Sequence, residues 1–256
     1  MSVAGRLVVI AGATSVSGIA AVRELKSAGA RVIAVGRNSD TLDELLRIDA
    51  GAVGSGGFED GTVGEDGTVG RVRTEVCDLT DESAVARLAH RVHDADGAVD
   101  GVLHLVGGWR GGGGLAGQSD ADFRFLEGSF TALRHVSRAF DADLRGSDAG
   151  RLAVVSSTAV ARPLAGGANY AAVKAATEAW VRAVAQGFAK DSRDAGRPLA
   201  AAAVIFRVQS LAGLEEALAR RFAALWMTPA SETNDTIVDL SALLISAPST
   251  PEIGHP

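Results

Sequence analysis

Short apolar runs alternate with longer amphipathic ones along most of this chain, and that rhythm restricts the fold more than any other feature. The apolar runs are Arg6–Ala11, Arg31–Val35, Val72–Val76, Gly101–Val106, Arg151–Ser156 and Ala201–Val208. Their continuous apolar character predicts strands buried on both faces. Between them, Ile19–Ala28, Thr41–Ile48, Ser83–His93, Asp122–Ala142 and Ala168–Lys190 carry helical spacing, and a last helix is predicted over Asn234–Ser246. Asp81 and Glu82 ahead of the third helix suit a helix N-terminus electrostatically. Strands joined through helices predict a parallel sheet, and right-handed crossovers make it a doubly wound α/β sheet in a single domain, residues 1–246. Pro248, Pro251 and Pro256 mark 247–256 as an extended C-terminal tail.

Two segments break the rhythm. Residues 51–70 hold eight glycines and an exact tandem hexapeptide, Glu59–Gly64 repeated as Glu65–Gly70. Two copies are too few to bury a core, so the segment reads as a flexible glycine-rich loop insertion. The second is Gly107–Gly117, a glycine-rich stretch that contains Trp109 and Arg110.

Composition removes several function classes. With 25 basic against 31 acidic residues the chain is acidic, which excludes a generally basic surface for nucleic acid. Hydrophobic residues at 47% and charged residues at 22% exclude a disordered chain. The single cysteine, Cys77, forms no intrachain disulfide. No apolar stretch approaches the roughly 18 residues of a membrane span, and the apolar start lacks the basic flank of a signal peptide. A cytoplasmic protein with no membrane partner is the expectation. His90 and His93 stand three apart without a further ligand at metal spacing, so no metal site is expected.

The first strand runs into Gly12-Ala13-Thr14-Ser15-Val16-Ser17-Gly18-Ile19-Ala20, which opens the first helix. Gly12 permits a tight turn, Gly18 would let a phosphate approach the backbone, and Ala20 is small enough for helix-on-sheet packing. Free N–H groups at the helix start, from Thr14 through Ile19, would face a pyrophosphate. A plain structural turn is the alternative. The second strand ends in Gly36-Arg37 with no acid before Asp40, and a guanidinium there suits the 2′-phosphate of NADP(H) better than the bare ribose of NAD. A solvated strand-end arginine explains it equally simply. After the third strand, Asp78 and Leu79 stand where side chains reach an adenine, although Asp78 also suits helix capping. Val106 and Gly107, after the fourth strand, complete the candidate cofactor contacts.

Ser157 ends the fifth strand, and twelve residues later comes Tyr170-Ala171-Ala172-Val173-Lys174. Tyr170 and Lys174 are i and i+4, so they share one helix face. Ser157 lies at the carboxyl edge of the sheet, the edge where ligands bind in open parallel sheets. Tyr170 is the only tyrosine, whereas phenylalanine fills apolar roles eight times, so its hydroxyl is expected to act.

On these residues the chain resembles the short-chain dehydrogenase/reductase family over roughly residues 5–245, with the dinucleotide-binding Rossmann fold. YAAVK matches the family's Tyr-x-x-x-Lys, with Ser157 at the family's distance before it. The resemblance implies an NADP(H)-dependent reductase of a small or medium ketone or aldehyde, or dehydrogenase of the matching alcohol. Tyr170 would protonate the developing alkoxide and Ser157 would hydrogen-bond it. Lowering a phenol by roughly 3 units takes about 4 kcal/mol, which the Lys174 ammonium would largely supply. A homodimer through the helices over 122–142 and 168–190 is implied, with a tetramer as the alternative. An epimerase or dehydratase using the nicotinamide transiently, or a dinucleotide-binding sensor or scaffold, are the competing readings.

The sequence also departs from the family. One residue more separates Gly12 from Gly18, and Ala20 replaces the third glycine. Leu105-Val106-Gly107-Gly108 stands where Asn-Asn-Ala-Gly is usual. The fourth-helix catalytic asparagine corresponds to Ser129, which would hold a relay water. The sixth strand ends in Phe206-Arg207-Val208-Gln209 in place of Pro-Gly, and no seventh strand is recognisable. Trp109 and Arg110 would wall a substrate as part of a lid, or belong to an irregular loop. Trp226 would close over substrate, or pack in the core.

Overall fold

The computed structural model describes residues 1–51 and 70–241. The hexapeptide repeat over 59–70, except its last glycine, and the tail expected over 247–256 lie outside them. Seven strands form one sheet: β1 Leu7–Ala11, β2 Arg31–Gly36, β3 Arg71–Val76, β4 Gly101–His104, β5 Arg151–Ser157, β6 Ala202–Val208 and β7 Thr236–Asp239. Their order is β3-β2-β1-β4-β5-β6-β7, and every pairing is parallel. The helices are α1 Val16–Ser27, α2 Ser39–Gly51, α3 Glu82–Asp96, α4 Asp120–Ala139, α5 Asp141–Gly146, α6 Ala168–Asp194, α7 Glu215–Ala223 and α8 Ala230–Thr233.

Alternation along β1 shows how the two layers form. Leu7, Val9 and Ala11 enter one apolar cluster with Val85 and Leu88 of α3, Val136 of α4 and Val181 of α6. Val8 and Ile10 enter the other, with Val22 and Leu25 of α1 and Phe222 of α7. Successive side chains point to opposite faces, so a strand apolar at every position must be covered twice. The chain leaves β1 in one direction and β4 in the other, which opens a crevice between their carboxyl ends.

Helix starts follow local chemistry. Ser15 caps α1 by accepting from Gly18 N–H, Asp81 caps α3 by accepting from Ser83 and Ala84, and Ser119 caps α4 by accepting from Asp122. Asp78 is therefore no helix cap. Its carboxylate instead accepts from the Thr80 backbone and hydroxyl and fixes the turn before α3.

Two expectations are corrected. A seventh strand exists, and it occupies part of the segment expected as the last helix. Asn234 accepts from Ala203 N–H and donates to Ala185 O, and Asp235 takes φ 61°, which together turn the chain to run beside β6. A short apolar run such as Thr236–Asp239 has no period that separates strand from helix. The covering helix lies earlier, at α7, where Leu218, Ala219 and Phe222 meet the sheet. Among the described residues no helix is long and apolar enough to cross a membrane.

An ion pair between buried Glu178 and half-buried Arg207 ties α6 to the carboxyl ends of β5 and β6. Glu178 receives two hydrogen bonds from the Arg207 guanidinium, at 3.2 and 2.7 Å, and one from the Ser156 hydroxyl at 2.7 Å. Removing the Arg207 guanidinium leaves the buried Glu178 charge without its partner. Arg207→Ala is therefore expected to cost about 3 kcal/mol. The corresponding fall in Tm is roughly 6–12 °C for a chain of this size, and thermal unfolding showing less than about 2 °C would contradict the assignment.

Candidate active site

The glycine turn forms one wall of the crevice. Gly12 takes φ +90°, and a Cβ there would sit 3.0 Å from Leu105 C and Val106 N, so the turn packs directly on the end of β4. Gly18 serves packing rather than ligand approach. A Cβ at Gly18 would lie 2.5 Å from Ala13 C and O and from Gly12 O, and its N–H is already held by Ser15 Oγ at 3.0 Å. The close-packing role expected of Ala20 thus belongs to Gly18. Ala20 and Ile19 face a separate groove against α7, together with Glu216 and Ala219, so Ile19 is not a contact of the crevice. Ser17 is buried and does not line it either. Helix geometry leaves the Val16 and Ser17 N–H groups without intrahelical acceptors. Val16, the first helical residue, stands 71% exposed beside them.

The crevice itself has a volume of about 450 Å³. Gly12, Thr14, Ser15, Arg37, Asp78, Leu79, Val106, Gly107 and Ser129 all line it, whereas Ser17, Gly18, Ile19 and Lys174 of the expected cofactor contacts do not. Arg124, Phe125 and Gly128 of α4 also line it and carry no sequence signal that sets them apart. Asp78 is held below the usual carboxylate range chiefly by its hydrogen bonds from Thr80, with a smaller contribution from the Arg37 charge. Arg37 is exposed at the crevice rim.

Ser157, Tyr170 and Lys174 meet beside this crevice. Lys174 donates from Nζ to Val155 O at 2.8 Å, and that nitrogen is 5.8 Å from the Tyr170 ring centroid. A Cβ on Gly107 would lie 3.8 Å from the same ammonium, so Gly107 joins the crevice to the three side chains. Ser157 is buried, and its hydroxyl accepts from Ala159 N–H at 3.2 Å. Ser156 points to the other side of β5, toward Glu178, as strand alternation requires.

The electrostatics differ from expectation. Burial pushes the Tyr170 phenol above its ordinary value, and its hydrogen bond with Ser157 draws it back. The lowering expected from Lys174 is therefore not what governs this phenol. Lys174 is itself pulled down to about 8 by burial, with Glu178, one turn further along α6, acting in the opposite direction. His104, at the end of β4, is pulled down to about 3 by burial and by the nearby Lys174 charge. It is thus neutral, and its Nε2 donates to Ser129 O at 3.1 Å. The Nδ1 atom is buried without a hydrogen-bond partner.

Ser129 lines the crevice, but its hydroxyl donates to Leu126 O at 2.6 Å, back onto its own helix. The relay role expected of that hydroxyl is not supported by its direction. Of the two readings of Trp226 the core one holds: it is 2% exposed, packs edge-on against Phe222 and abuts Gly101 at the amino end of β4, the edge away from the site. Trp109 is 60% exposed. Arg110 turns onto α4, with its guanidinium 4.1 Å from the Phe125 ring centroid and 4.0 Å from Asp122, rather than presenting a free cation. His93 pairs with Asp143 at 2.7 Å.

A family model described as enoyl-(acyl carrier protein) reductase matches residues 12–193. The chain belongs to the short-chain dehydrogenase/reductase family, a class of oxidoreductase enzymes. Among solved structures, a metagenomic short-chain oxidoreductase in complex with NADP is 24% identical, with TM-score 0.75 over 93% of this chain and 98% of that one. L-sorbose reductase from Gluconobacter frateurii, complexed with NADPH and L-sorbose, is 17% identical, with TM-score 0.73 over 94% and 97%. An NAD+-bound xylitol dehydrogenase is 16% identical, with TM-score 0.75 over 93% and 98%. No curated protein sequence matches the chain.

Lys174 is one of only three lysines, which makes its titration readable by carbon NMR of the lysine ε-position. The resonance lost in Lys174→Arg is expected to titrate with a midpoint near 8. A midpoint at or above the ordinary value of about 10.4 would contradict the burial assigned to it.

Proposed function

We propose that this chain is an NADP(H)-dependent oxidoreductase that reduces a small or medium organic ketone or aldehyde, or oxidises the matching alcohol. The observation that carries the reading is the position of the Lys174 ammonium, which stands between Gly107 of the crevice and the Tyr170 ring.

A dinucleotide fits the donor set. The φ +90° turn at Gly12 keeps a cradle free of any Cβ, and the open N–H groups of α1 favour an anion. Asp78 and Leu79 would flank the adenine, and Val106, Gly107 and Lys174 would approach the nicotinamide half. Arg37 favours NADP(H), because a guanidinium engages a 2′-phosphate bidentately. The NADP and NADPH complexes among the solved relatives agree with that choice, while the NAD+-bound one shows that the fold accommodates either. When bound, the cofactor supplies or accepts the hydride.

The chain's own residues handle the oxygen. Tyr170 gives its phenolic proton to the carbonyl oxygen as negative charge grows there, and Ser157 donates a hydrogen bond to the same atom. Burial holds the Tyr170 proton on, so the acid form that donates to a carbonyl oxygen is the one present at neutral pH. Lys174, charged below about 8, supplies a positive field at the developing alkoxide. Pairing of two copies through α4 and α6 forms part of the same proposal.

Two experiments test this reading. In fluorescence titrations NADPH should bind more tightly than NADH, and Arg37→Ala should cost roughly tenfold to hundredfold in NADPH affinity while leaving NADH nearly unchanged. Equal wild-type affinities would remove the 2′-phosphate assignment. Across a carbonyl panel followed by NADPH oxidation, Tyr170→Phe should lower kcat by at least about 100-fold with NADPH binding intact. Undiminished turnover would overturn the acid role.

A further inference from the structure

The helix that carries Tyr170 begins without a side-chain cap of its own. Its N-cap is Gly167, which has no side chain to accept from the first-turn N–H groups. A side chain from 51 residues upstream does that work: Gln118 Oε1 accepts from Asn169 N–H at 3.1 Å. Asn169 is the second residue of α6, the position an N-cap side chain ordinarily serves, and it precedes Tyr170 directly.

The other end of the same amide is equally engaged. The two N–H groups of Gln118 Nε2 are shared among three carbonyls, Gly112 O at 3.1 Å, Gly114 O at 3.2 Å and Gly166 O at 3.0 Å. Gly112 N–H donates to Gly166 O at 2.8 Å, and Asn169 Nδ2 donates to Ser119 O at 3.2 Å. A Cβ at Gly111 would collide with Gly166 O, so the two loops meet backbone to backbone. Gly112, Gly113 and Gly114 all have positive φ, a conformation that most side chains adopt only at a cost. The glycine-rich stretch after β4 is thus held in place rather than left free, and one amide is the common point of attachment.

We propose that Gln118 is a positioning residue. It caps α6 from outside the helix and, through the same side chain, locks the 107–117 and 164–167 loops together, so that the Tyr170 phenol and the walls around it are held in one geometry. The proposal rests on the reading of Tyr170 as proton donor, but the clamp itself is measurable without turnover.

Hydrogen exchange of the full chain, with Gln118→Ala and Gln118→Glu, separates the two halves of the clamp. In Gln118→Ala, exchange over 108–117 and 164–172 should rise roughly tenfold, the consequence of losing about one hydrogen bond's worth of local protection. In Gln118→Glu an acceptor for Asn169 N–H remains while the donations from Nε2 are lost, so 168–172 should stay near wild type while 108–117 and 164–167 loosen. A residue that merely supports the fold would not divide in this way. For a carbonyl substrate, Gln118→Ala should lower kcat roughly tenfold through misplacement of the phenol, with the NADPH dissociation constant within about twofold of wild type. Wild-type exchange in both segments of Gln118→Ala, or an unchanged kcat, overturns the proposal. If the wild-type chain reduces no carbonyl, the proposed function fails, and the exchange arm alone still decides whether Gln118 clamps the loops.

Discussion

Parallel pairing of all seven strands is the constraint on which the rest depends. Parallel strands need crossover helices, the helices cover both faces, and β1 then has no polar position to spare. Function is left to the carboxyl edge, where the ladder has ended and the backbone of the glycine turn, of β4 and of β5 comes free. The Glu178–Arg207 pair acts at that same edge. By drawing α6, β5 and β6 together it fixes the distance between Ser157 at a strand end and Tyr170 on a helix. The buried Glu178 carboxylate can do this because the half-buried Arg207 guanidinium satisfies it, with Ser156 accounting for one further contact.

Burial governs the chemistry of the site more than charge pairing does. Lys174 loses much of its preference for the ammonium form, His104 stays neutral, and the Tyr170 phenol keeps its proton. Each shift runs against the charged form, as desolvation requires.

Much of this was legible in the sequence, for reasons that differ by residue. Tyr170 and Lys174 declare a shared face by their spacing, and the same arithmetic extended by one turn reaches Glu178. Arg37 and Asp78 follow from their positions just beyond strands. Gln118 had no such signal, because its partners lie 4 to 51 residues away in segments without period. Gly18 was assigned to ligand approach because glycine spacing cannot tell a close backbone contact from an anion site. For Trp226 sequence leaves substrate closure and core packing open, because the elements around it, α7 before and β7 after, differ from the single last helix that the periodicity suggests.

Sequence alone determined the layered parallel sheet, the glycine turn and the trio of Ser157, Tyr170 and Lys174, since all are set by local periods of two and 3.6 residues. The three-dimensional structure decided what those residues meet. It directed the Ser129 hydroxyl onto its own helix, put Trp226 under the far edge of the sheet and brought one glutamine to the start of α6. Those outcomes depend on how distant segments close on one another, and the free energy of such contacts has no periodic imprint along the chain.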